Sequence, residues 1–268
     1  MVFNPFSENL AFLWDIIALV ISLFCVLMIV QINGAIQKSG KLSTTVTRKL
    51  VHICAGPVFV ITWILFTANF FTRFIVMFVP LLFVLQFIGV GTGKIKDEKF
   101  VASMSRSGEP SELLKGPLYY GVIMVIMTLL WFYVPATGII NANPTAFVII
   151  GCLSGGDGIA DIIGRKYGGD KKFGIGGSEK TLAGTIAMFV GSVLVSFVLI
   201  LIFSIEVATF NPLSLIIPII IISLVATVVE ALSPKNTDNW TIFISVIITV
   251  LVLSSLMPSL WPYSFLSF

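Results

Sequence analysis

The chain is 268 residues long, 57% hydrophobic, 11% charged and formally +3 at neutral pH. A soluble domain carries about 25% charged residues, so this composition excludes an ordinary soluble protein and points to a polytopic membrane protein. The small net charge says nothing by itself about a nucleic-acid partner, and none is expected. The three cysteines, Cys25, Cys54 and Cys152, lie in apolar runs without a C-x-x-C pair, which argues against a disulfide framework or a zinc site.

Apolar runs of about 20 residues are long enough to cross a bilayer. Eight are expected, near 11–30, 51–69, 71–90, 117–134, 144–164, 181–205, 212–232 and 240–259. The predicted fold is therefore all-α, a single integral membrane domain of about eight spans. No Lys or Arg precedes Lys38, so the first run lacks the basic start of a signal peptide and reads as a retained helix. The fifth run is interrupted by glycines and aspartates, and the seventh contains Pro218. If all eight runs cross, fifteen of the sixteen basic residues fall on one side and only Arg73 on the other. The positive-inside rule makes that side cytoplasmic and puts both termini outside. The sequon at Asn239 then lies on the cytoplasmic side, unused.

Four clusters of polar residues gather on the basic side. At the mouth of the second span, Arg48, Lys49 and His52 lie within four residues and share a helix face. They suit either an interfacial anchor or a cationic clamp on phosphate. The second cluster runs from Arg106 through Glu109, Glu112 and Lys115 to Tyr119 and Tyr120.

The third cluster holds Asp157 and Asp161, four residues apart on one helix face, where the hydropathy demands membrane. A carboxylate at mid-bilayer costs about 2.5–3.5 kcal/mol on insertion scales, so two of them imply a compensating role. They suit Mg²⁺, which takes one or two protein carboxylates plus substrate phosphates. Arg165, Lys166 and Lys180 follow as neighbours for a polyphosphate. The alternative is an internal ion pair between Asp161 and Arg165. Residues 178–181 are not a P-loop, because Glu179 stands where that motif needs glycine. The fourth cluster holds Glu230, Asp238 and Asn239 around Pro234, with Asp238 also suited to a helix N-cap.

These stretches, RKLVH (48–52), RSGEPSELLKGPLYYG (106–121), GDGIADIIGRKYG (156–168), EKTLAGT (179–185) and VEALSPKNTDNWT (229–241), resemble the CTP-dependent polyprenol kinase family and most of all its phytol-kinase branch. The last stretch is the loosest, with Thr237 where relatives often carry an acid. The resemblance implies a membrane lipid kinase that moves the γ-phosphate of CTP onto a lipid alcohol: phytol, farnesol, geranylgeraniol, dolichol or diacylglycerol. It implies Mg²⁺ as cofactor, on Asp157 and Asp161, at a site facing the cytoplasm. Arg48, Lys49, Arg106, Lys115, Arg165, Lys166, Lys180, Asp238 and Asn239 are the residues expected around the nucleotide. Asp157, Glu230 and His52 are each able to take the alcohol's proton. The aspartate segment also resembles CDP-diacylglycerol synthases, which transfer a cytidylyl group and release pyrophosphate. A transporter with acids at the bilayer midplane is the alternative from another class.

Overall fold

A computed structural model of the chain describes residues 4–105, 107–135, 142–205 and 210–266. Among them the protein is helical: α1 (Ala11–Lys38), α2 (Thr44–Ile61), α3 (Thr72–Val76), α4 (Phe78–Gly91), α5 (Glu98–Met104), α6 (Gly116–Trp131), α7 (Thr145–Ile150), a π-helical segment (Gly151–Asp157), α8 (Gly158–Tyr167), α9 (Leu182–Ser204), α10 (Ile216–Ala231) and α11 (Asp238–Leu256). The described residues contain no strand, only an isolated antiparallel bridge between Phe173 and Lys180.

Seven helical stretches are long and apolar enough to cross a membrane, which makes this a multi-pass membrane protein. The seventh expected run, 212–232, is also a helix, but a short one. The 16 residues of α10 rise about 24 Å, against a hydrocarbon core of about 30 Å. Pro218 falls in its first turn, where a missing N–H leaves no helical bond unmade, so the helix continues past it.

Most spanning stretches bury only 28–39% of their residues inside the protein, whereas Thr145–Tyr167 buries 78%. The aspartate-bearing run is the central helix of the bundle. Its glycines suit either a bend or a close backbone approach, and the structure uses them for the second: α7, the π-helical segment and α8 run on continuously, and the glycines bring this helix against α9. A Cβ on Gly155 would lie 2.5 Å from the Val195 side chain and 2.7 Å from the Gly191 carbonyl, and a Cβ on Gly191 would lie 2.4 Å from the Gly155 carbonyl. Small residues at such a crossing let two backbones touch, which is how helices associate in lipid. Gly191→Ala is therefore expected to cost about 1–3 kcal/mol through overpacking, read as earlier thermal unfolding in detergent.

One end of the bundle is sealed by aromatic residues. Trp63, Phe66 and Phe147 are fully buried, and Trp63 packs edge-on against Phe59 and Phe132. Asp15, also buried, ties α1 to the loop before α3 by accepting bonds from the Thr67 N–H and hydroxyl and from the Thr72 hydroxyl. The other end carries the polar clusters. Within the polar stretch 91–116, α5 and the 3₁₀ turn Pro110–Leu114 fold back over this end. Phe100, Val101, Met104 and Leu113 form a small apolar cluster there with Val51, Phe87 and Val90.

Candidate active site

A cavity of about 450 Å³ opens at the polar end. Its upper wall carries Arg48, Lys49, His52, Lys115, Asp157, Asp238 and Asn239, together with Glu112, Lys235 and Asn236. Its lower wall is apolar, built by Val26 and Val30 of α1, Phe59 of α2, Val79, Phe83 and Phe87 of α4, and Met124 of α6.

The charged wall follows from helix geometry. Residues 48, 49, 52, 55, 56 and 59 of α2 all line the cavity, the spacing of a single face of a 3.6-residue helix. The mouth of α2 supplies the cations and its membrane-buried turns supply the apolar part. Tyr120 stands between the two regions. Its hydroxyl is 2.6 Å from Ser154 Oγ, and its ring lies 4.3 Å from the His52 ring. Gly56 makes this approach possible, since a Cβ there would sit 2.0 Å from the Tyr120 hydroxyl.

Asp157 sits at the junction of the π-helical segment and α8 and faces α2. Its Oδ2 accepts from Lys49 Nζ at 3.0 Å and lies 3.5 Å from His52 Nε2. His52 Nε2 is also 3.0 Å from the Leu153 carbonyl oxygen. That oxygen only accepts, so Nε2 carries the hydrogen and Nδ1 is the basic nitrogen of the neutral ring. The buried acid is thus ion-paired, and the pair opens onto a cavity.

A second ion pair flanks the first. Lys180 donates to Glu230 Oε1 and lies 3.9 Å from Asp238 Oδ2. Burial alone pulls the Lys180 ammonium down, but Glu230, Asp157 and Asp238 outweigh it and hold Lys180 above the ordinary lysine value. Lys180 ends a glycine-rich loop in which Gly174, Gly176 and Gly177 take positive φ and the Phe173–Lys180 bridge closes the turn. Thr181 then caps α9 by accepting from the Gly184 N–H. Asp238 is the first residue of α11 rather than its cap, which is Thr237. Asn239 donates to the Gly116 carbonyl and so ties α11 to α6.

Three expected residues lie apart. Asp161 also faces α2, one turn from Asp157 as the spacing predicts. It borders a separate recess with Ser43, Thr45, Val46, Arg165 and Lys166. Its Oδ1 accepts from Arg165 Nε at 2.9 Å, while its Oδ2 is buried with no hydrogen-bond partner. Arg106 lies outside the described residues. Glu112 and Tyr120 of the second cluster, and Lys235 and Asn236 beside Pro234, also line the cavity, although the sequence assigns none of them a role of its own. The φ of 67° at Asn236 marks the tight turn that presents Lys235 and Asn236 to the cavity.

The described residues hold no group of three or more His, Cys, Asp or Glu side chains suited to a metal. Asp157 lines the cavity with Oδ2 held by Lys49, while Asp161, one turn on, borders the separate recess with Oδ2 unpartnered; an Mg²⁺ held between them would take most of its ligands from phosphates and water.

Fold and cavity together define a multi-pass membrane protein with a cavity lined by ionisable groups at one end and apolar side chains at the other. No protein-family model matches the chain, and no solved structure matches it significantly. Among curated proteins, it is 39% identical over 153 residues to "probable phytol kinase 2, chloroplastic" of Oryza sativa subsp. japonica, covering 57% of this chain and 47% of the relative. It is 31% identical over 234 residues to "probable phytol kinase, chloroplastic" of Zea mays, covering 85% of this chain and 73% of the relative. It is 34% identical over 205 residues to "farnesol kinase, chloroplastic" of Arabidopsis thaliana, covering 76% and 63%. The chain belongs to the phytol kinase family. It spans about half the length of the rice relative.

Proposed function

We propose that this protein is a membrane kinase that transfers the γ-phosphate of CTP to the hydroxyl of a prenyl alcohol. The observation that carries the reading is the two-part cavity, charged at one end and apolar at the other. A nucleotide stays in water and a prenyl chain stays in lipid, so their reaction needs a site that touches both. The names of the relatives support a prenyl alcohol as acceptor. CTP as donor and Mg²⁺ as cofactor rest on the motif resemblance. The charge asymmetry of the loops favours a cavity mouth on the cytoplasmic side.

In this reading Arg48, Lys49, Lys115 and Lys235 face the phosphates at the mouth, with Lys180 alongside. Asp157 and Asp161 would hold Mg²⁺, which supplies charge neutralisation on the transferred group. Phosphoryl transfer asks a protein mainly for positioning and charge stabilisation. Of the three groups able to take the proton, Asp157 and Glu230 are each occupied by an ammonium. His52 Nδ1 is the nitrogen left basic by the Leu153 bond, and it serves as base. The apolar wall below excludes water from the reacting hydroxyl.

The test is incubation of the purified protein in mixed micelles with CTP, Mg²⁺ and, separately, phytol, farnesol and diacylglycerol, with products separated by thin-layer chromatography. Prenyl monophosphates are expected. Phosphorylation of diacylglycerol alone would overturn the choice of acceptor. Tyr120→Phe tests the junction: it keeps the ring on His52 and removes the Ser154 bond, an interaction worth about 1 kcal/mol. A fall of about fivefold in kcat, with the nucleotide KM unchanged, is expected. A rise in nucleotide KM alone would place Tyr120 with the phosphates instead.

A further inference from the structure

The apolar arm of the cavity has a floor, and we infer that this floor gauges the length of the prenyl chain, admitting about three isoprene units below the charged rim. The inference rests on the prenyl-alcohol reading above.

Four helices agree on the direction of the arm. Along α2 the lining passes from Lys49 and His52 at the rim to Phe59 at the bottom. Along α6 it descends from Gly116 to Met124, and along α4, which runs the opposite way, from Phe87 to Val79. On α1, Val30 lies nearer the rim than Val26.

The three deepest residues on α2, α4 and α6 are closed off. Phe59, Val79 and Met124 are 2%, 1% and 4% exposed. Behind them stand the fully buried Trp63 and Val76, with Trp63 packed edge-on against Phe59. The arm therefore ends on packed side chains rather than continuing through the bundle.

The ten-residue step from Lys49 to Phe59 rises about 15 Å. An extended chain advances about 1.2 Å per bond, so roughly twelve bonds fit, the backbone of about three isoprene units. A further unit has no room below the rim and must leave sideways into lipid, where it gains nothing from the protein.

The experiment measures kcat/KM for geraniol, farnesol and geranylgeraniol, alcohols of successive isoprene length, at equal mole fraction in mixed micelles. A gain of about tenfold is expected from geraniol to farnesol, since the third unit makes packing contacts with the arm and floor that a fluid micelle interior does not supply, and no further gain to geranylgeraniol. Phe59→Ala lowers the floor and should raise the geranylgeraniol-to-farnesol ratio several-fold. Met124→Phe raises the floor and should cut the farnesol-to-geraniol ratio about tenfold. Unchanged ratios in both variants, with turnover retained, would overturn the gauge and leave the kinase reading standing. Turnover of no alcohol by the unmodified protein would instead sink the kinase reading. A farnesol analogue with a diazirine at the tail tip gives a readout independent of turnover and of variant folding. Adducts on Phe59, Val79 or Met124 support the gauge, and adducts confined to outward-facing residues contradict it.

Discussion

Asp157→Asn is expected to lower lipid phosphorylation by about 100- to 1000-fold, the range seen when one preorganised charge-stabilising group is removed, and to destabilise the protein as well. The two effects have one origin. Lys49 and Asp157 are both buried and 3.0 Å apart, and an amide in place of the carboxylate leaves the ammonium without a counter-charge. Breaking a buried pair from one side costs about 3–5 kcal/mol. Loss of activity in the single variant therefore does not separate chemistry from folding, but a double variant does. Replacing both partners of a buried pair by apolar residues is often neutral or stabilising, by about 1–4 kcal/mol. Lys49→Met combined with Asp157→Leu should restore the thermal midpoint in detergent while leaving phosphorylation absent. Recovery of turnover in the double variant would show that the pair serves packing alone.

The second large effect is expected at Lys180. Its ammonium stands between Glu230, which is buried, and Asp238. Lys180→Met leaves these two carboxylates facing Asp157 with one cation fewer. A destabilisation of about 3 kcal/mol is expected, the low end for a broken buried pair, together with a raised nucleotide KM. Glu230→Gln should be milder for binding, because it leaves the cation in place. The pH dependence follows from the raised value of Lys180. A cation whose folded value lies above its unfolded one stabilises fully below the unfolded value, and loses that contribution as pH rises through the folded value. Stability owed to this residue should be level from neutral pH to the ordinary lysine range and fall only at higher alkalinity. A titration of unfolding midpoint against pH, compared between wild type and Lys180→Met, measures the difference. A gap that closes near neutral pH would contradict the charge assignment.

Much of this architecture is legible in the sequence because hydropathy and charge are local properties. The apolar runs mark the helices, and the cluster at 48–52 announces a charged face of α2. The glycines at 151–158 are harder to read. A break for ligand access and a close helix crossing use the same residue type, and only the position of α9 decides between them. The separation of Asp161 from Asp157 depends on where α2 begins relative to α8, which spacing along one helix does not encode. The apolar arm is the least visible feature. Val26, Val79, Phe83 and Met124 come from three different helices in lipid, where inward and outward faces are equally apolar, so no periodicity distinguishes the cavity wall from the lipid-facing surface. Lys235 and Asn236 reach the cavity through a left-handed turn at a non-glycine residue, which composition does not reveal.

The central claim is that the cavity joins a water-borne triphosphate to a lipid alcohol through its terminal phosphate. The most direct measurement gives the purified protein CTP labelled either at the α- or at the γ-phosphate, with farnesol in mixed micelles, and counts label in the lipid extract. Label from the γ position alone, in a product that co-migrates with prenyl monophosphate, is the predicted result. Label from the α position in the lipid fraction would mean cytidylyl transfer, and would contradict the account.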